Sequence, residues 1–228
     1  MTEHELGPRK RLRSRRLRPR RRHARATAGF HAGSTMDHME PSSSAVTTQQ
    51  RWQMRVLPTL RGTILDLGAG TGVSASMLHP SVHWLALEPS PGRRLAAAVN
   101  SRPDSQLLSA RAEQIPLEDA SVDAAICSTV LCSVADPAAT LGETIRVLRP
   151  GGVLVFYEHV VAAPGSKARR VQTMARPFTR RFGHGCDPCR DTADTINRAG
   201  FSSVQLQTTQ ISGLFGPLAP VIHGHAER

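Results

Sequence analysis

One segment constrains the fold of this chain more than any other, because an apolar run passes directly into three closely spaced glycines. The segment reads TILDLGAGTGV and covers residues 63–73. A short, continuous apolar run is typical of a buried strand, and glycines allow a sharp turn in which the backbone can approach a ligand. The sequence therefore predicts a strand, a glycine turn and a helix that together form a ligand-binding unit at the carboxyl end of the strand.

Two features of this turn argue against a dinucleotide ligand. Asp66 lies just before the turn, where a carboxylate would repel a pyrophosphate but attract the cationic group of an amino acid. Gly68, Gly70 and Gly72 follow the spacing G-x-G-x-G, and Val73 stands where G-x-G-x-x-G requires its third glycine. An NAD-dependent oxidoreductase is therefore disfavoured, and a ligand with an amino-acid group is favoured.

A second acidic residue has the position that a nucleoside site needs. The apolar run HWLALE ends at Glu88, 20 residues after Gly68. At this point a doubly wound fold presents a carboxylate to ribose hydroxyls. A glycine turn alone is weak evidence, but the turn together with Asp66 and Glu88 indicates a nucleoside-binding site.

Short apolar runs alternate with segments of helical periodicity along the chain. This alternation predicts an α/β, doubly wound, mostly parallel seven-stranded sheet with helices on both faces. The last two apolar runs lack a long helix between them, so the sheet is expected to end in an antiparallel strand joined by a hairpin. The predicted strands are TILDL, HWLALE, QLLSA, VDAAICSTV, GGVLVFYEHV, SSVQLQTTQ and PLAPVIHGHA, and helical periodicity covers residues 73–79, 91–101, 137–148 and 190–199.

The basic charge of the chain is concentrated at its beginning. The 29 Lys and Arg and 18 Asp and Glu give a formal charge of +11, of which residues 1–35, with eleven basic and two acidic side chains, carry +9. We predict a disordered basic arm and polar linker over residues 1–49 and one folded domain over residues 50–228. The arm could bind nucleic acid or an anionic membrane, or could be a solvated extension, since Met36 or Met39 could also begin the protein.

Several classes of protein are excluded or disfavoured by the remaining composition. No apolar run approaches the roughly 18 residues of a transmembrane helix, and no signal-peptide pattern precedes the domain. Four cysteines among 228 residues are too few for a disulfide scaffold. A cytoplasmic protein is therefore expected.

At this point the sequence resembles the Rossmann-like S-adenosylmethionine-dependent methyltransferases. Residues 63–72 are similar to their nucleotide loop, Glu88 to their ribose-binding acid, and RPGG at residues 149–152 to the turn before their fifth strand. A narrower resemblance is to the methyltransferase-like thiol methyltransferases and their bacterial relatives. It rests on LCSV (131–134), RVLRPGG (146–152), FYEHV (156–160), Gly185–Cys186 and IHGHA (222–226).

The resemblance implies S-adenosylmethionine as cofactor and a small-molecule methyl acceptor: a thiol, or more broadly a phenolic, quinone-like or lipid compound. Asp66 would hold the methionine ammonium group and Glu88 the ribose hydroxyls. Ala112 and Glu113 would lie beside the adenine, and Ser128 would border the sulfonium group. The implied cofactor-binding residues are Asp66, Gly68, Ala69, Gly70, Gly72, Glu88, Ala112, Glu113 and Ser128.

Methyl transfer from an activated donor requires alignment and exclusion of water more than acid–base machinery. A thiol or hydroxyl acceptor must still lose a proton, so His159, at the end of the predicted fifth strand, is a candidate catalytic base. A structural role, with the imidazole bonded locally at the strand end, is the alternative.

The cysteines and arginines allow alternative interpretations. Cys186 and Cys189 have the C-x-x-C spacing of zinc or redox sites, but no second C-x-x-C exists, so no metal site is predicted. Cys127 and Cys132 are expected to pack as small hydrophobic residues, or Cys132 to line the acceptor pocket. Residues 164–185 have an irregular pattern that suggests a mobile lid, whose arginines either recognise an acidic group or form a solvated face.

A second hypothesis, from a binding class, is a nucleic-acid-associated protein that uses the Arg-rich arm, with the domain as a non-catalytic scaffold. An enzyme that methylates nucleobase amines would need a base-stacking motif such as N/D-P-P-Y/F after the fourth strand. The sequence there is STVL at residues 128–131, which disfavours that activity.

Overall fold

The computed structural model describes residues 47–211 and 220–228. Seven strands form a single sheet in the order β3-β2-β1-β4-β5-β7-β6. The doubly wound, mostly parallel sheet that the sequence predicts is thus confirmed. The strands are β1 (Thr63–Leu67), β2 (His83–Leu87), β3 (Ser105–Leu108), β4 (Val122–Ser128), β5 (Leu148–His159), β6 (Ser203–Gln210) and β7 (Pro220–Glu227).

The strand order reverses beside β1, which pairs in parallel with both β2 and β4. Ligands of open α/β sheets bind at such a reversal, outside the carboxyl ends of the strands. At the other end of the sheet, β7 runs antiparallel to both β5 and β6. The expected antiparallel pair is present, but the last strand lies between β5 and β6 rather than at the edge. Residues 217–219 of the predicted last strand lie outside the described residues.

Helices cover the sheet, and four of the five described α-helices have a first turn capped by a side chain; the helix that follows Gly92 does not. Thr47 and Gln50 form a reciprocal capping box on the first helix, and Asp136, Ser166 and Asp191 cap three others. Each cap satisfies a backbone N–H that the helix itself leaves without a partner. The helices are α1 (Thr48–Val56), α2 (Arg93–Asn100), α3 (Pro137–Val147), α4 (Lys167–Phe182) and α5 (Thr192–Arg198), with 3-10 turns at Leu57–Thr59 and Val73–Ser76.

Two predictions of local structure need correction. The helix expected over residues 73–79 is a single 3-10 turn, because Gly72 at its start provides no side-chain cap and Pro80 follows closely. The arm and linker expected over residues 1–49 end earlier, since α1 begins at Thr48 directly after its capping residue Thr47. Residues 1–46, most of the predicted arm and linker, lie outside the described part of the chain.

The irregular segment predicted over residues 164–185 is largely the helix α4. Its anchor is the buried Gln172, whose amide donates to the Val160 carbonyl at 2.9 Å and accepts from the Ala162 N–H at 2.8 Å. Pro177 lies inside the helix. Two hydrogen bonds from one buried side chain, which no local pattern reveals, hold the helix against the end of β5.

Alternate residues of the central strands enter two apolar clusters. Leu65, Leu67 and Phe156 belong to one cluster, whereas Ile64 and Trp84 belong to the other. Because successive side chains of a strand point to opposite faces, the sheet is buried on both sides. This rigid sheet fixes the positions of the loops at its carboxyl edge.

Candidate active site

A cavity of about 680 Å³ opens at the carboxyl ends of β1, β2 and β4, where the strand order reverses. Five of the residues predicted to bind the cofactor line it: Gly68, Gly70, Glu88, Ala112 and Glu113. The other predicted residues, Asp66, Ala69, Gly72, Ser128 and His159, do not line the cavity. The remaining lining residues are Thr71, Leu87, Pro89, Ser90, Ala110, Arg111, Thr129, Val130, Ser133, Val134 and His184.

The glycine turn has the backbone conformation that the sequence predicts. Gly68, Gly70 and Gly72 have φ values of 58°, 57° and 80°, in the left-handed region that favours glycine. A Cβ atom at Gly72 would lie 2.7 Å from the Ala98 Cβ, and one at Gly68 would lie 2.9 Å from Val130 Cγ2. The turn therefore packs tightly between α2 and the β4 exit.

Glu88 lies at the end of β2 and faces the cavity. One carboxylate oxygen accepts from the Gly70 N–H at 3.2 Å, and the other accepts from the Ser90 N–H at 3.4 Å. The carboxylate therefore bonds to the glycine turn while remaining on the cavity wall.

Asp66 is buried behind the glycine turn, with only 3% of its surface exposed. Trp84 Nε1 donates to Asp66 Oδ2 at 3.2 Å. Burial is the main cause that raises the pKa of Asp66 to about 7, against the lowering effect of hydrogen bonds from Ser74 and Trp84. The carboxyl group is therefore close to its titration midpoint at neutral pH, and a cation at this position would favour its charged form.

Glu113 connects two loops of the site. Its Oε1 accepts from the backbone N–H groups of Ala135 and Asp136 at 2.8 and 3.3 Å, and Arg111 Nε lies 3.4 Å from its Oε2. Burial raises the pKa of Glu113, but these hydrogen bonds outweigh it and leave the pKa lowered. Glu113 thus holds the loop after β3 against the start of α3, and its neighbour Ala112 is buried beside the cavity.

The exit of β4 carries a strained residue beside the cavity. Thr129 has a φ of 60°, and its N–H donates to the Tyr157 carbonyl at 2.8 Å. Ser128 accepts from the Gln49 side chain of α1 at 2.9 Å. Positive φ in a β-branched residue is uncommon and is found where surrounding structure enforces it, often at functional sites. The sequence pattern gave no signal for Gln49, which reaches Ser128 from a helix 79 positions away.

Glu158 and His159, at the end of β5, differ in their surroundings. Glu158 is fully buried, and its Oε1 accepts from the Val130 N–H at 2.7 Å and from the Cys127 thiol at 3.3 Å. Its other oxygen has no hydrogen-bond partner among the described residues. Burial raises the pKa of Glu158 to about 8. Cys127 is buried, as expected, but it also bonds to this carboxyl group.

His159 contacts two sulfur atoms. Its Nδ1 lies 3.6 Å from Cys132 Sγ and 3.8 Å from Cys186 Sγ, and we call these three residues the Cys–His–Cys cluster. The hydrogen bond with Cys132 raises the pKa of His159, against the effect of burial. A hydrogen bond between the two thiols raises the pKa of Cys132 and lowers that of Cys186. The C-x-x-C interpretation had paired Cys186 with Cys189, whereas its spatial partner is Cys132.

The arginines of the predicted lid do not line the cavity. Arg176 forms a two-pronged ion pair with Asp187, with nitrogen–oxygen distances of 3.0 and 2.7 Å. Arg170, Arg180 and Arg181 are exposed on α4. Among the described residues, no helix is long and apolar enough to cross a membrane.

Fold and cavity together define a nucleoside-binding α/β domain with an acidic residue at the end of β2, and comparison with known proteins gives its family. A family described as "Methyltransferase domain" matches residues 65–156. Thiol S-methyltransferase TMT1B of Rattus norvegicus is 34% identical over 170 residues, 72% of this chain and 70% of that protein. Human thiol S-methyltransferase TMT1A is 29% identical over 74% of this chain and 72% of its own length.

A solved structure confirms the fold. The 1,6-didemethyltoxoflavin-N1-methyltransferase of Burkholderia thailandensis, determined with S-adenosylhomocysteine bound, has a TM-score of 0.59 and 15% identity, with 79% of this chain and 78% of that chain covered. The chain belongs to the S-adenosylmethionine-dependent methyltransferases, in the group that includes the thiol S-methyltransferases. It is an enzyme that methylates a small molecule with S-adenosylmethionine as cofactor.

The site fits this cofactor by the chemistry of its donors. Glu88 offers carboxylate oxygens to a diol, the glycine turn offers a close backbone approach, and the buried Asp66 offers a negative charge next to that turn. Ala110 and Ala112 present small side chains on the cavity wall, where a flat ring can lie between Arg111 and Glu113.

Proposed function

We propose that the enzyme transfers the methyl group of S-adenosylmethionine to the sulfur of a small thiol. The observation that carries the proposal is the wall of the cavity formed by the β4 exit and residue 184. Its side chains, Thr129, Val130, Ser133, Val134 and His184, are small or carry no fixed charge. Such a wall suits an acceptor without a permanent charge, and the relatives that match most of the chain are named as thiol S-methyltransferases.

The proposed roles of the binding residues follow from their positions. Glu88 accepts hydrogen bonds from the ribose hydroxyls, and Asp66 attracts the methionine ammonium group from behind the glycine turn. Ala112 and Glu113 border the adenine. When bound, S-adenosylmethionine supplies a methyl group already activated by a sulfonium sulfur, so the protein's task is to align the acceptor and exclude water.

A proton must leave the acceptor thiol, and His159 remains the base predicted from the sequence. His159 lies at the carboxyl end of β5, where substrate-contacting groups of this fold converge, and this position argues against a purely structural role. Replacement by glutamine is expected to lower turnover most strongly below the pKa of the thiol and to flatten the pH–rate profile. Equal turnover of His159→Gln and wild type across pH 6–9 would refute the base role.

The function is tested in two stages. First, the thermal midpoint is measured with S-adenosylhomocysteine and, separately, with NADH; a ligand at about 100 times its Kd adds about 2.7 kcal/mol of stability. Only S-adenosylhomocysteine is expected to raise the thermal midpoint. Second, transfer of a labelled methyl group is measured to a monothiol, a phenol and a quinol of similar size. Transfer to phenol or quinol but not thiol would contradict the proposed acceptor.

We predict that the enzyme acts in the cytoplasm, where cysteines stay reduced, and its four cysteines are all free thiols.

A further inference from the structure

We propose that Cys132, His159 and Cys186 bind a zinc ion, and that its open coordination position takes the acceptor thiol as a thiolate. The metal site rests on the geometry of the cluster alone. The identity of the bound acceptor rests in addition on the proposed function.

The distances within the cluster are those of a zinc coordination shell. Zinc binds thiolate sulfur at about 2.3 Å and imidazole nitrogen at about 2.0–2.1 Å in tetrahedral geometry, which places a sulfur and a nitrogen ligand about 3.6 Å apart. His159 Nδ1 lies 3.6 Å from Cys132 Sγ and 3.8 Å from Cys186 Sγ. All three ligand atoms lie within 4.8 Å of one another. One ion can therefore contact all three with only small side-chain shifts.

Neighbouring hydrogen bonds hold the three ligands in place. The Asp187 N–H donates to the Cys132 carbonyl at 2.8 Å, and Arg190 Nη1 donates to the Leu131 carbonyl at 2.6 Å. Asp187 is itself fixed by its ion pair with Arg176. These contacts dock the segment that carries Cys186 onto the segment that carries Cys132. Preformed and supported ligands are a feature of metal sites.

His159 is positioned in the same way from the other side. The Thr192 hydroxyl donates to the His159 carbonyl at 2.9 Å, which ties the end of β5 to the start of α5.

The described residues provide three ligands, and three protein ligands are typical of catalytic zinc, which keeps a fourth position for water or substrate. The cluster lies beside the cavity, because Ser133 and His184, close in sequence to Cys132 and Cys186, line its wall. A structural zinc site would instead be closed by a fourth protein ligand. The three ligands do not themselves line the cavity, so the proposed substrate position requires the fourth coordination site to face the wall at Ser133 and His184.

The reaction balances with zinc as a resident ion. An acceptor thiol binds through its sulfur and releases its proton to solvent, because a metal-bound thiol is deprotonated. A lone pair of that sulfur forms a bond to the methyl carbon of S-adenosylmethionine, and the bond from this carbon to the sulfonium sulfur breaks. Its electron pair stays on the sulfur of S-adenosylhomocysteine. The product is a neutral thioether, which is a weaker ligand and leaves. On this inference His159 is a zinc ligand in place of the base proposed above, and the Co²⁺ binding of His159→Gln distinguishes the two roles, because only the ligand role requires the loss of metal binding.

The metal site is tested with Co²⁺ as a spectroscopic probe of the full-length chain, kept reduced with a phosphine. We expect one equivalent to bind with sulfur-to-cobalt charge-transfer absorption and the visible bands of tetrahedral coordination, and Zn²⁺ to displace it. Cys132→Ser, Cys186→Ser and His159→Gln should each weaken Co²⁺ binding at least about 100-fold. Loss of a residue that only supports a metal ligand already costs up to about 100-fold, and these three residues are the ligands themselves. Cys189→Ser, in the same segment as Cys186, is the matched control and should bind like wild type.

Binding of S-adenosylhomocysteine by the same variants serves as the check of folding. Absence of charge-transfer absorption in the wild type, or Co²⁺ binding by folded Cys132→Ser and Cys186→Ser variants equal to that of the wild type, would overturn the metal site. Equal loss of binding in Cys189→Ser would overturn the assignment of ligands.

The open position is tested by adding 2-mercaptoethanol to the cobalt-loaded protein. Each thiolate ligand contributes to the charge-transfer absorption, and 2-mercaptoethanol would raise their number from two to three. The absorption should therefore rise by about half. No change would overturn the proposed substrate position. Undiminished thiol methylation by metal-stripped protein would refute the zinc role and leave the proposed function standing. Binding of Co²⁺ and 2-mercaptoethanol without methylation of any thiol would refute the function and leave the metal site standing.

Discussion

A buried carboxyl group lies behind the loop that defines this site. Asp66 is almost fully buried, and hydrogen bonds from Ser74 and from Trp84 Nε1 at 3.2 Å do not offset the effect of burial, so its charged form is poorly compensated before a ligand binds. A cationic ammonium group would provide the missing compensation. The residue therefore couples ligand binding to protonation.

The pH dependence of stability is predicted to report Asp66. Its folded-state pKa of about 7 lies above the ordinary value of 3.8, so the folded protein holds a proton that the unfolded chain releases. Stability from this group is complete below the unfolded pKa and is lost as pH rises through the folded pKa. Urea unfolding should show wild type losing stability between these values, and Asp66→Asn losing less.

Glu118 is exposed, and the variant Glu118→Gln is the control for the loss of one carboxyl group. The stability of this variant should follow the wild-type pH profile. A wild-type profile that is flat in this window, or equally steep in Asp66→Asn, would show that Asp66 is not the group responsible. Affinity for S-adenosylhomocysteine should rise with pH through about 7 in wild type, since the ammonium group favours the charged carboxylate.

Glu88 is predicted to carry much of the affinity for the ribose. Glu88→Ala removes charge-assisted hydrogen bonds and should weaken binding of S-adenosylhomocysteine by ~1.5–3 kcal/mol. Titration calorimetry measures the change, with Glu118→Ala as a control outside the cavity. An unchanged Kd in Glu88→Ala would mean that the cofactor binds elsewhere.

At the scale of secondary-structure elements, the sequence predicted the strands better than the helices that cover the sheet. Apolar runs located β1 to β5 because parallel strands buried on both faces leave a continuous pattern. The helix α4 was missed because Pro177 and many arginines obscure its periodicity, and its anchor Gln172 acts through contacts with β5.

The same distinction applies to the site. Asp66, the glycines and Glu88 were predictable because a short segment and one fixed spacing bring them together. The Cys–His–Cys cluster was not, because Cys132, His159 and Cys186 come from three segments that meet only in the folded chain. The only local cue was the C-x-x-C spacing, and it indicated Cys189 in place of Cys132.

The packing of β7 between its neighbours is predicted to make Gly224 indispensable. A Cβ atom there would clash with the Gln205 carbonyl oxygen and lie 2.9 Å from Leu206 Cα, both backbone atoms of β6. Gly224→Ala should therefore destabilise the protein by about 1–3 kcal/mol or more, as overpacking does. Chemical denaturation measures this change.

Gly142→Ala is the matched control, since Gly142 is exposed in α3 with no atom within 4 Å of an added Cβ. It should stabilise the protein by about 0.5–1 kcal/mol, the usual difference between alanine and glycine in a helix. Similar effects of both substitutions would contradict the strand packing described for β7.

On the scale of the whole molecule, we predict that most of the basic charge and the binding of the cofactor belong to different parts of the chain. Residues 1–35 carry +9 of the formal charge of +11. A chain that begins at Met36 should lose salt-sensitive retention on immobilised DNA while keeping its thermal shift with S-adenosylhomocysteine. Retention that persists without these residues would locate a polyanion-binding surface on the domain.

The place of β7 in the sheet has a consequence for biosynthesis. β5 is completed at His159, but among the described residues its side away from β4 pairs only with residues 220–227, and β6 has no other partner strand there. While the ribosome is still making the intervening segment, β5 presents an unpaired and largely apolar edge, the kind of surface that recruits strands of other chains. Nascent chains stopped before residue 220 should therefore depend on chaperones far more than the finished protein.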